Sequence, residues 1–199
     1  MFLRERYTKI LHRRGVYMKE DMKSVIADTF SEMLEKEDID KITVTRLIAQ
    51  CHISRQTFYY HFKDIMDVLE WTFRRATQEL VEQSLNAEDR LKALTAYITF
   101  VRQNRTKLKK LIYSRRWVQI EGMLVEAVTV YLAELARNRV PGIELSVDDL
   151  EVMLTFYACG MVGVLLQYVD KPNLNEEKLV IQMERIITGK MFPGKHNSI

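Results

Sequence analysis

The sequence predicts an all-α protein, and composition is the first reason. Only three prolines and seven glycines occur in 199 residues, so few positions interrupt a helix. Met, Leu, Glu, Lys and Arg, which lose little rotamer freedom in a helix, are common. An apolar content of 47% with 29% charge is typical of a soluble globular protein. We expect about nine helices, divided between an N-terminal three-helix head and a C-terminal helical bundle.

Apolar residues at helical spacing predict a first helix over residues 20 to 36. Its inward face carries Val25, Ile26, Phe30, Met33 and Leu34. The basic N-terminal extension before it, residues 1–19, has six Lys or Arg against the single Glu5. Three interpretations stay open: an arm that reaches DNA phosphates or the minor groove, a disordered tail, or an over-long start ahead of Met18 or Met22.

Residues 41 to 63 carry four Lys or Arg and no Asp or Glu, and they predict two short helices joined by a turn. Thr43 caps the first helix and Ser54 caps the second. Phe58 and Phe62 lie four residues apart, which gives the second helix one buried side. Its other positions are polar or aromatic and lack negative charge, as a major-groove helix requires. The pattern is that of a helix-turn-helix.

These motifs carry a resemblance. Thr43-Val44, Leu47-Ile48, Ile53-Ser54 and the run from Thr57 to Lys63 resemble the N-terminal signature of the TetR-family (TetR/AcrR) transcriptional regulators. The FYYHFKDIMDVLEW stretch is similar to the branch that includes activators of dihydroxyacetone-kinase operons. The resemblance implies a helix-turn-helix DNA-binding domain over 20–66 and a helical ligand-binding and dimerisation domain over 67–199.

The resemblance also implies the residues that contact a double-stranded DNA operator. They are Thr43, Arg55, Gln56, Thr57, Tyr59, Tyr60, His61 and Lys63. Arg55 or Gln56 suits guanine or adenine edges, whereas Lys63 suits a phosphate. For Tyr60 and His61, packing within the protein is the alternative to a DNA contact.

Two positions depart from the family pattern. His52 stands in the turn where relatives usually have glycine, and histidine adopts a positive φ at a cost of about 1 kcal/mol. Ile65 stands where several relatives carry a lysine, which predicts a weaker grip on phosphate.

Apolar periodicity predicts six further helices in the rest of the chain. Their expected ranges are 64–85, 88–104, 106–113, 115–139, 146–169 and 175–190. Breaks fall at Pro141-Gly142 and Lys171-Pro172-Asn173.

Aromatic and methionine side chains crowd the middle helices, in the region where the family encloses an effector. The candidate ligand-binding residues are Trp71, Tyr97, Phe100, Tyr113, Trp117, Met123 and Met153. Packed core is the equal alternative for each of them.

A two-fold operator needs two heads, so we expect a two-fold homodimer. Large apolar groups and glycines on the penultimate helix suggest the interface. The candidates are Phe156, Tyr157, Gly160, Gly163, Val164 and Tyr168, joined by Ile181, Ile186 and Ile187 of the last helix. Intramolecular packing is the alternative.

Charge is unevenly distributed. The segment through Lys63 holds 12 basic and 9 acidic residues and so accounts for the whole net charge of +3. A second basic run extends from Arg102 to Arg116 with no acid inside it. It is either solvated surface or a site for an anion, another protein or DNA.

No catalytic, metal-binding or cofactor-binding pattern is found: the four histidines are scattered and no glycine-rich phosphate loop is present. We expect both cysteines to be small buried residues. Spanning a bilayer takes roughly 20 apolar residues; we expect no apolar run of that length, and we expect a cytoplasmic protein without membrane contact. The predicted function is a transcriptional regulator, by default a repressor, controlled by a small-molecule effector or a partner. The alternatives are an activator, a protein-binding co-regulator of the same fold and, least favoured, an enzyme.

Overall fold

The computed structural model describes residues 20–139, 146–169, 171 and 175–191. Across these ranges it contains nine α-helices, one short 3-10 helix and no strand, which confirms the all-α prediction. The helices are α1 Glu20–Lys36, α2 Val44–Gln50, α3 Arg55–His61, α4 Ile65–Leu85, α5 Arg90–Gln103, α6 Arg105–Ile112, α7 Trp117–Arg139, α8 Val147–Tyr168 and α9 Glu176–Ile187. The basic extension and the prolines of the two predicted breaks lie outside the described residues.

Side-chain caps fix where the helices of the head begin. The Thr43 hydroxyl accepts a hydrogen bond from the Arg46 N–H at 3.3 Å, and the Ser54 hydroxyl accepts one from the Thr57 N–H at 3.0 Å. Each cap satisfies an N–H that the first turn of a helix leaves unpaired, which is worth about 1 kcal/mol. Both helix starts were therefore predictable from single residues.

The head is α1, α2 and α3 packed around one apolar centre. Phe30, Leu47 and Phe58, one from each helix, are fully buried. Complete burial of a Leu or Phe side chain contributes about 1.5–3 kcal/mol. The three short helices therefore hold one another in place, although α2 and α3 have only seven residues each.

Helix α4 joins the head to the body without interruption. It packs against α1 on one side and against α5 and α7 on the other. Val68 and Leu69, just beyond the expected domain boundary at 66, are buried in the core that both parts share. In the body, α7 also packs on α8, and α9 packs on α5.

A second connection, which we call the head–body contact, is polar. The Lys107 ammonium lies 3.2 Å from the Glu35 carboxylate, and the Lys110 ammonium donates to the Glu35 carbonyl at 2.5 Å. The Asp40 carboxylate accepts hydrogen bonds of 2.9 Å from the Ser114 hydroxyl and from the Arg115 N–H. Helix α6 and the turn after it thus bind the base of the head.

The Asp40 carboxylate is stabilised in its charged form at this contact. The hydrogen bond from the Arg115 backbone N–H is the main cause of a lowered pKa, and the Ser114 hydroxyl and the charges of Arg115 and Arg116 act in the same direction, against partial desolvation. The carboxylate therefore binds the body most strongly when it is ionised.

Candidate nucleic-acid interface

The turn between α2 and α3 has the backbone geometry expected from the departure at His52. The φ angle of His52 is 54°, in the left-handed region that favours glycine. The Ile53 N–H closes the turn by donating to the Ile48 carbonyl at 3.1 Å. The helix-turn-helix therefore forms with histidine at this position, and the strain remains in the folded state.

The rear of α3 is apolar and closed. Phe58 is 0% exposed and Phe62 is 2% exposed. Their ring centroids lie 6.1 Å apart, and the Phe62 ring meets Trp71 of α4 edge-on at 6.2 Å. The two phenylalanines thus hold α3 against the head, as the sequence predicted.

The opposite side of α3 faces solvent, and we call it the recognition face. It consists of Arg55, Gln56, Tyr59 and Tyr60, all exposed. Tyr59 is 51% and Tyr60 is 67% exposed, so both side chains are accessible to another molecule. The face offers guanidinium, amide and phenol groups and no carboxylate, which suits base edges and phosphates.

The remaining predicted DNA-contact residues frame this face. Thr43, which caps α2, and Lys63, which follows α3, are exposed, whereas Thr57 and His61 are half-buried. The His61 ring meets the Tyr60 ring edge-on at 5.0 Å. Packing is therefore part of the role of His61, as the alternative interpretation of that residue proposed.

Two arginine side chains near the recognition face make contacts that the sequence pattern did not predict. The Arg55 guanidinium donates to the Thr45 hydroxyl of α2 at 3.0 Å, so Thr45 orients the side chain best suited to guanine. Arg46 is turned away: it pairs with the Glu37 carboxylate and donates to the Lys41 carbonyl at 2.8 Å. Only the position of Arg55 next to α2, which depends on the turn, brings Thr45 into the site.

Lys63 is anchored through its backbone. Its N–H donates to the Asp67 carboxylate at 2.9 Å, while the Asp67 N–H donates to the carboxylate of the Asp64 cap at 3.0 Å. This reciprocal pair fixes the chain direction at the start of α4 and leaves the Lys63 side chain exposed. Ile65 is buried, so its position serves the core in this chain.

Three carboxylates of the head between α1 and α2 or at the end of α1 are engaged in contacts away from α3. Glu37 pairs with Arg46, Asp38 lies 2.9 Å from the Lys41 ammonium, and Asp40 binds the body. The ion pair with Asp38 raises the pKa of Lys41. The recognition face therefore keeps its positive charge although the head as a whole contains many carboxylates.

Comparison with solved structures identifies the architecture. The chain matches the dihydroxyacetone kinase operon activator DhaS with a TM-score of 0.63 at 17% identity, over 87% of this chain and 99% of that one. It matches a TetR-family transcriptional regulator from Streptomyces coelicolor with 0.62 at 15%, over 89% and 82%. The TetR-family repressor AlkX from Dietzia sp. gives 0.59 at 16%, over 85% and 94%. No protein-family model and no curated protein sequence matches the chain.

The chain has the TetR fold. The fold that the helix-turn-helix motif implied is thereby confirmed. At these low identities the likeness concerns the fold alone, so the chemistry of the site depends on the residues described above.

The body of this TetR fold does not bring the candidate ligand residues together. A cavity of about 110 Å³ lies between α5, the end of α8 and the start of α9, and Tyr97 is the one member of the candidate set that lines it. Trp71 packs against Phe62 and lies under the Arg75 guanidinium, while Tyr113 is 72% exposed. The others, Phe100, Trp117, Met123 and Met153, are half-buried.

The candidate dimer residues divide into two groups. Phe156, Gly160 and Gly163 are exposed together with Val152, and this set is the apolar face of α8. Val164 and Tyr168 instead line the cavity. The half-buried Tyr157 donates from its hydroxyl to the Ile187 carbonyl at 3.5 Å. On α9, Ile181 and Ile186 are exposed and Ile187 is half-buried.

The expectation that both cysteines are buried was wrong. Cys159 is exposed, since it lies on the same side of α8 as Phe156, while Cys51 is only half-buried. Burial raises the pKa of the Cys51 thiol.

The expectation about apolar length was also wrong. Helix α8 contains an 18-residue window of mean hydropathy 1.6, so by length and composition alone it is able to cross a membrane. Only 28% of that window is buried within the chain, and a single helix of this kind is weak evidence for a membrane.

The basic run from Arg102 to Arg116 serves contacts within the chain. Lys107 and Lys110 bind Glu35 in the head–body contact. Arg102 lies 3.2 Å from the Glu176 carboxylate, and the Arg105 Nε donates to the Val169 carbonyl at 2.5 Å. Its members are thus more than solvated surface. Among the residues that the structure describes, no group of three His, Cys, Asp or Glu side chains is placed to hold a metal.

Proposed function

We propose that the protein is a sequence-specific DNA-binding transcriptional regulator that acts as a homodimer under the control of an effector or partner bound to its body. Repression is the default sign of control, since AlkX of the same fold is a repressor. Activation is the alternative, since DhaS is an operon activator.

The recognition face is the observation that carries this proposal. Arg55, Gln56, Tyr59 and Tyr60 are exposed on one side of α3, while Phe58 and Phe62 are buried on the other, so the polar side of the helix faces solvent and is accessible to another molecule. Arg and Gln pair bidentately with guanine and adenine, and each good pair discriminates by roughly 1–3 kcal/mol. An enzyme would need convergent catalytic groups, and this face offers none.

Dimerisation follows from the geometry of operators and is supported by the apolar face of α8. One head covers one half-site, and half-sites are separated by about a helical turn of DNA or a multiple of it. Val152 and Phe156 are 70% and 71% exposed, with Gly160 and Gly163 one and two turns further along. A side chain added at either glycine would meet nothing within 4 Å in this chain. Glycine costs a helix about 1 kcal/mol, so close approach of a second copy explains both positions.

The head–body contact provides the connection that control requires. An effector bound to the body changes DNA affinity only if its own affinity differs between the arrangement of the heads that binds DNA and the one that does not. Helix α6 touches α1 through Lys107 and Lys110, and the turn after α6 holds Asp40. Movement of α6 would therefore displace the head directly.

The test is sequence-selective binding by the recognition face. We would first find the operator by footprinting the purified protein on genomic fragments, and then measure affinity by fluorescence anisotropy. Replacing Arg55 and Gln56 by alanine is expected to weaken operator binding at least tenfold and to reduce the preference over random DNA, since base contacts are lost.

The matched control replaces Gln83 and Arg90, an exposed glutamine and an exposed arginine of the body, by alanine. This pair should leave affinity and selectivity unchanged. Equal losses in both double variants would indicate non-specific attraction by charge. No shift of any DNA by the wild-type protein at low salt would favour the rival function, a protein-binding co-regulator of the same fold.

A further inference from the structure

The cavity in the body combines an apolar interior with a basic rim. Its walls are formed mainly by Ile98 and Val101 of α5, Val164, Leu165 and Val169 at the end of α8, and Leu179 of α9. Ile98, Leu165, Val169 and Leu179 are buried, so the inner part is mainly apolar, and the hydroxyl of the buried Tyr97 is the polar side-chain atom there. Such a space favours the apolar part of a ligand.

Three basic side chains and one acidic side chain line the same cavity: Arg102, Arg105, Lys171 and Glu176. Arg102 and Lys171 are exposed and so lie at the rim. Glu176 pairs with Arg102, and the Lys171 ammonium lies 4.4 Å from the Tyr168 ring centroid. The rim therefore has a net positive charge next to an apolar interior.

Arg105 is the side chain best placed to bind an anion. It is half-buried, and its Nε is held by the Val169 carbonyl at 2.5 Å. Its terminal nitrogens form no ion pair with a carboxylate of the described residues. A guanidinium that is fixed at one nitrogen, and whose other nitrogens have no carboxylate partner among the described residues, is arranged to take a carboxylate with two hydrogen bonds.

We propose that this cavity binds a short-chain aliphatic carboxylate, with the chain among the apolar walls and the carboxylate at Arg105 and the basic rim. A cavity of about 150 Å³ holds a benzene ring, so the observed 110 Å³ has room for roughly four or five carbon atoms. We therefore expect the carbon atoms of longer acyl chains to extend beyond the apolar walls and to gain little from them.

The position of the cavity gives binding a route to the head, and this part rests on the proposed function. Arg105 is the first residue of α6, and Lys107 and Lys110 of the same eight-residue helix contact Glu35 in the head. A carboxylate that pulls on Arg105 acts on α6 at one end, while the other end leads into the turn that binds Asp40. We expect binding to alter operator affinity.

Isothermal titration with the sodium salts of butanoate, pentanoate, hexanoate and octanoate tests the site without any DNA. Pentanoate or hexanoate is expected to bind saturably with one ligand per chain, and octanoate no more tightly. Pentan-1-ol and pentylamine, which lack the negative charge, should bind at least tenfold more weakly. Affinity that rises steadily with chain length, or equal affinity for acid and alcohol, would overturn the proposal.

Three variants locate the binding. Arg105→Gln should weaken pentanoate at least tenfold and leave pentan-1-ol unchanged, and Val164→Phe, which fills the cavity from the end of α8, should abolish binding of both. Arg74→Gln on α4, an exposed arginine remote from the cavity lining, is the matched control and should bind as the wild type does. Unchanged binding by both Arg105→Gln and Val164→Phe would overturn the proposal.

Anisotropy with operator DNA, with and without pentanoate, then separates the two proposals. Saturable carboxylate binding that changes operator affinity supports the site and its regulatory role. Carboxylate binding with unchanged operator affinity supports the site and overturns that role. A protein that binds no DNA contradicts the proposed function, while the titration still decides whether the cavity takes a carboxylate.

Discussion

The recognition face of α3 and the apolar face of α8 are both exposed, and they differ in what they offer a partner. The first presents Arg55, Gln56 and two tyrosines, whose polar atoms suit DNA. The second presents Val152 and Phe156 beside glycines, which suits a second protein surface. Exposure alone therefore does not identify a binding site. The chemistry of the exposed atoms indicates the class of partner.

The two sides of α3 differ in the same way within one helix. Substitution on its buried side gives the largest predicted effect, a loss of folding stability. Phe58→Ala should lower the free energy of unfolding by about 3–5 kcal/mol, because a fully buried ring is lost and a cavity remains. The neighbouring Tyr59→Ala should change stability by no more than about 0.5 kcal/mol and weaken operator binding. Urea unfolding and anisotropy measure the two quantities, and a large stability loss in Tyr59→Ala would contradict the assignment of that ring to DNA.

The apolar face of α8 gives the next largest effect. Phe156→Asp should leave the folded chain intact and raise the dimer dissociation constant by about 30-fold or more, since a buried aromatic anchor is often worth 2 kcal/mol. Analytical ultracentrifugation measures this constant. Val118→Asp is the matched control, because Val118 of α7 is 84% exposed and lies outside both faces. An equal effect of the two substitutions, or none of Phe156→Asp, would place the interface elsewhere.

The turn at His52, which sets the position of α3 and its recognition face, contains a strained backbone conformation. His52→Gly should raise the free energy of unfolding by about 0.5–1 kcal/mol, because glycine adopts the observed positive φ without strain while making the unfolded chain more flexible. Gln50→Gly, two residues earlier and inside α2, should lower it by about 1 kcal/mol. Urea unfolding of the two variants therefore gives changes of opposite sign. A loss of stability in His52→Gly would show that the histidine side chain contributes contacts that offset the strain.

The sequence predicted the head better than the body, and the reason is the range of the interactions. The caps Thr43 and Ser54 act within three residues, and the spacing of Phe58 and Phe62 is visible in one turn of helix. Partners in the body are distant in the chain. Arg105 binds Val169, 64 residues away, and no local pattern predicts that pair.

The positions in the body that the sequence left open have the same origin. Large apolar groups suggested Val164 and Tyr168 for the dimer interface, with packing inside the chain as the alternative. They line the cavity, because the residues that a long helix turns towards its neighbours depend on how the helices cross. Aromatic composition likewise predicted an effector site around Trp71 and Trp117. Because α4 packs against the head, the Trp71 ring contacts the Phe62 ring instead.

The head–body contact gives the smallest predicted effect, and it tests whether the two regions act together. Asp40 has a lowered pKa in the folded protein, so its contribution to stability is fully present above the unfolded value near 3.8 and is lost as the pH falls through the lower folded value. A double-mutant cycle of Asp40→Ala and Ser114→Ala should therefore show coupling of about 0.5–1 kcal/mol at pH 7, limited by solvent screening of an exposed carboxylate.

As the pH falls below 3.8 and through the lower pKa of folded Asp40, the same cycle should show coupling that declines towards zero, because a protonated carboxyl group is a weaker acceptor for the Ser114 hydroxyl and the Arg115 N–H. Urea unfolding at several pH values measures it. Coupling that stays constant throughout this titration would mean that the charge of Asp40 does not hold the head to the body. Control of the recognition face would then have to pass through the contacts of Lys107 and Lys110 with Glu35 and through the apolar packing of α4.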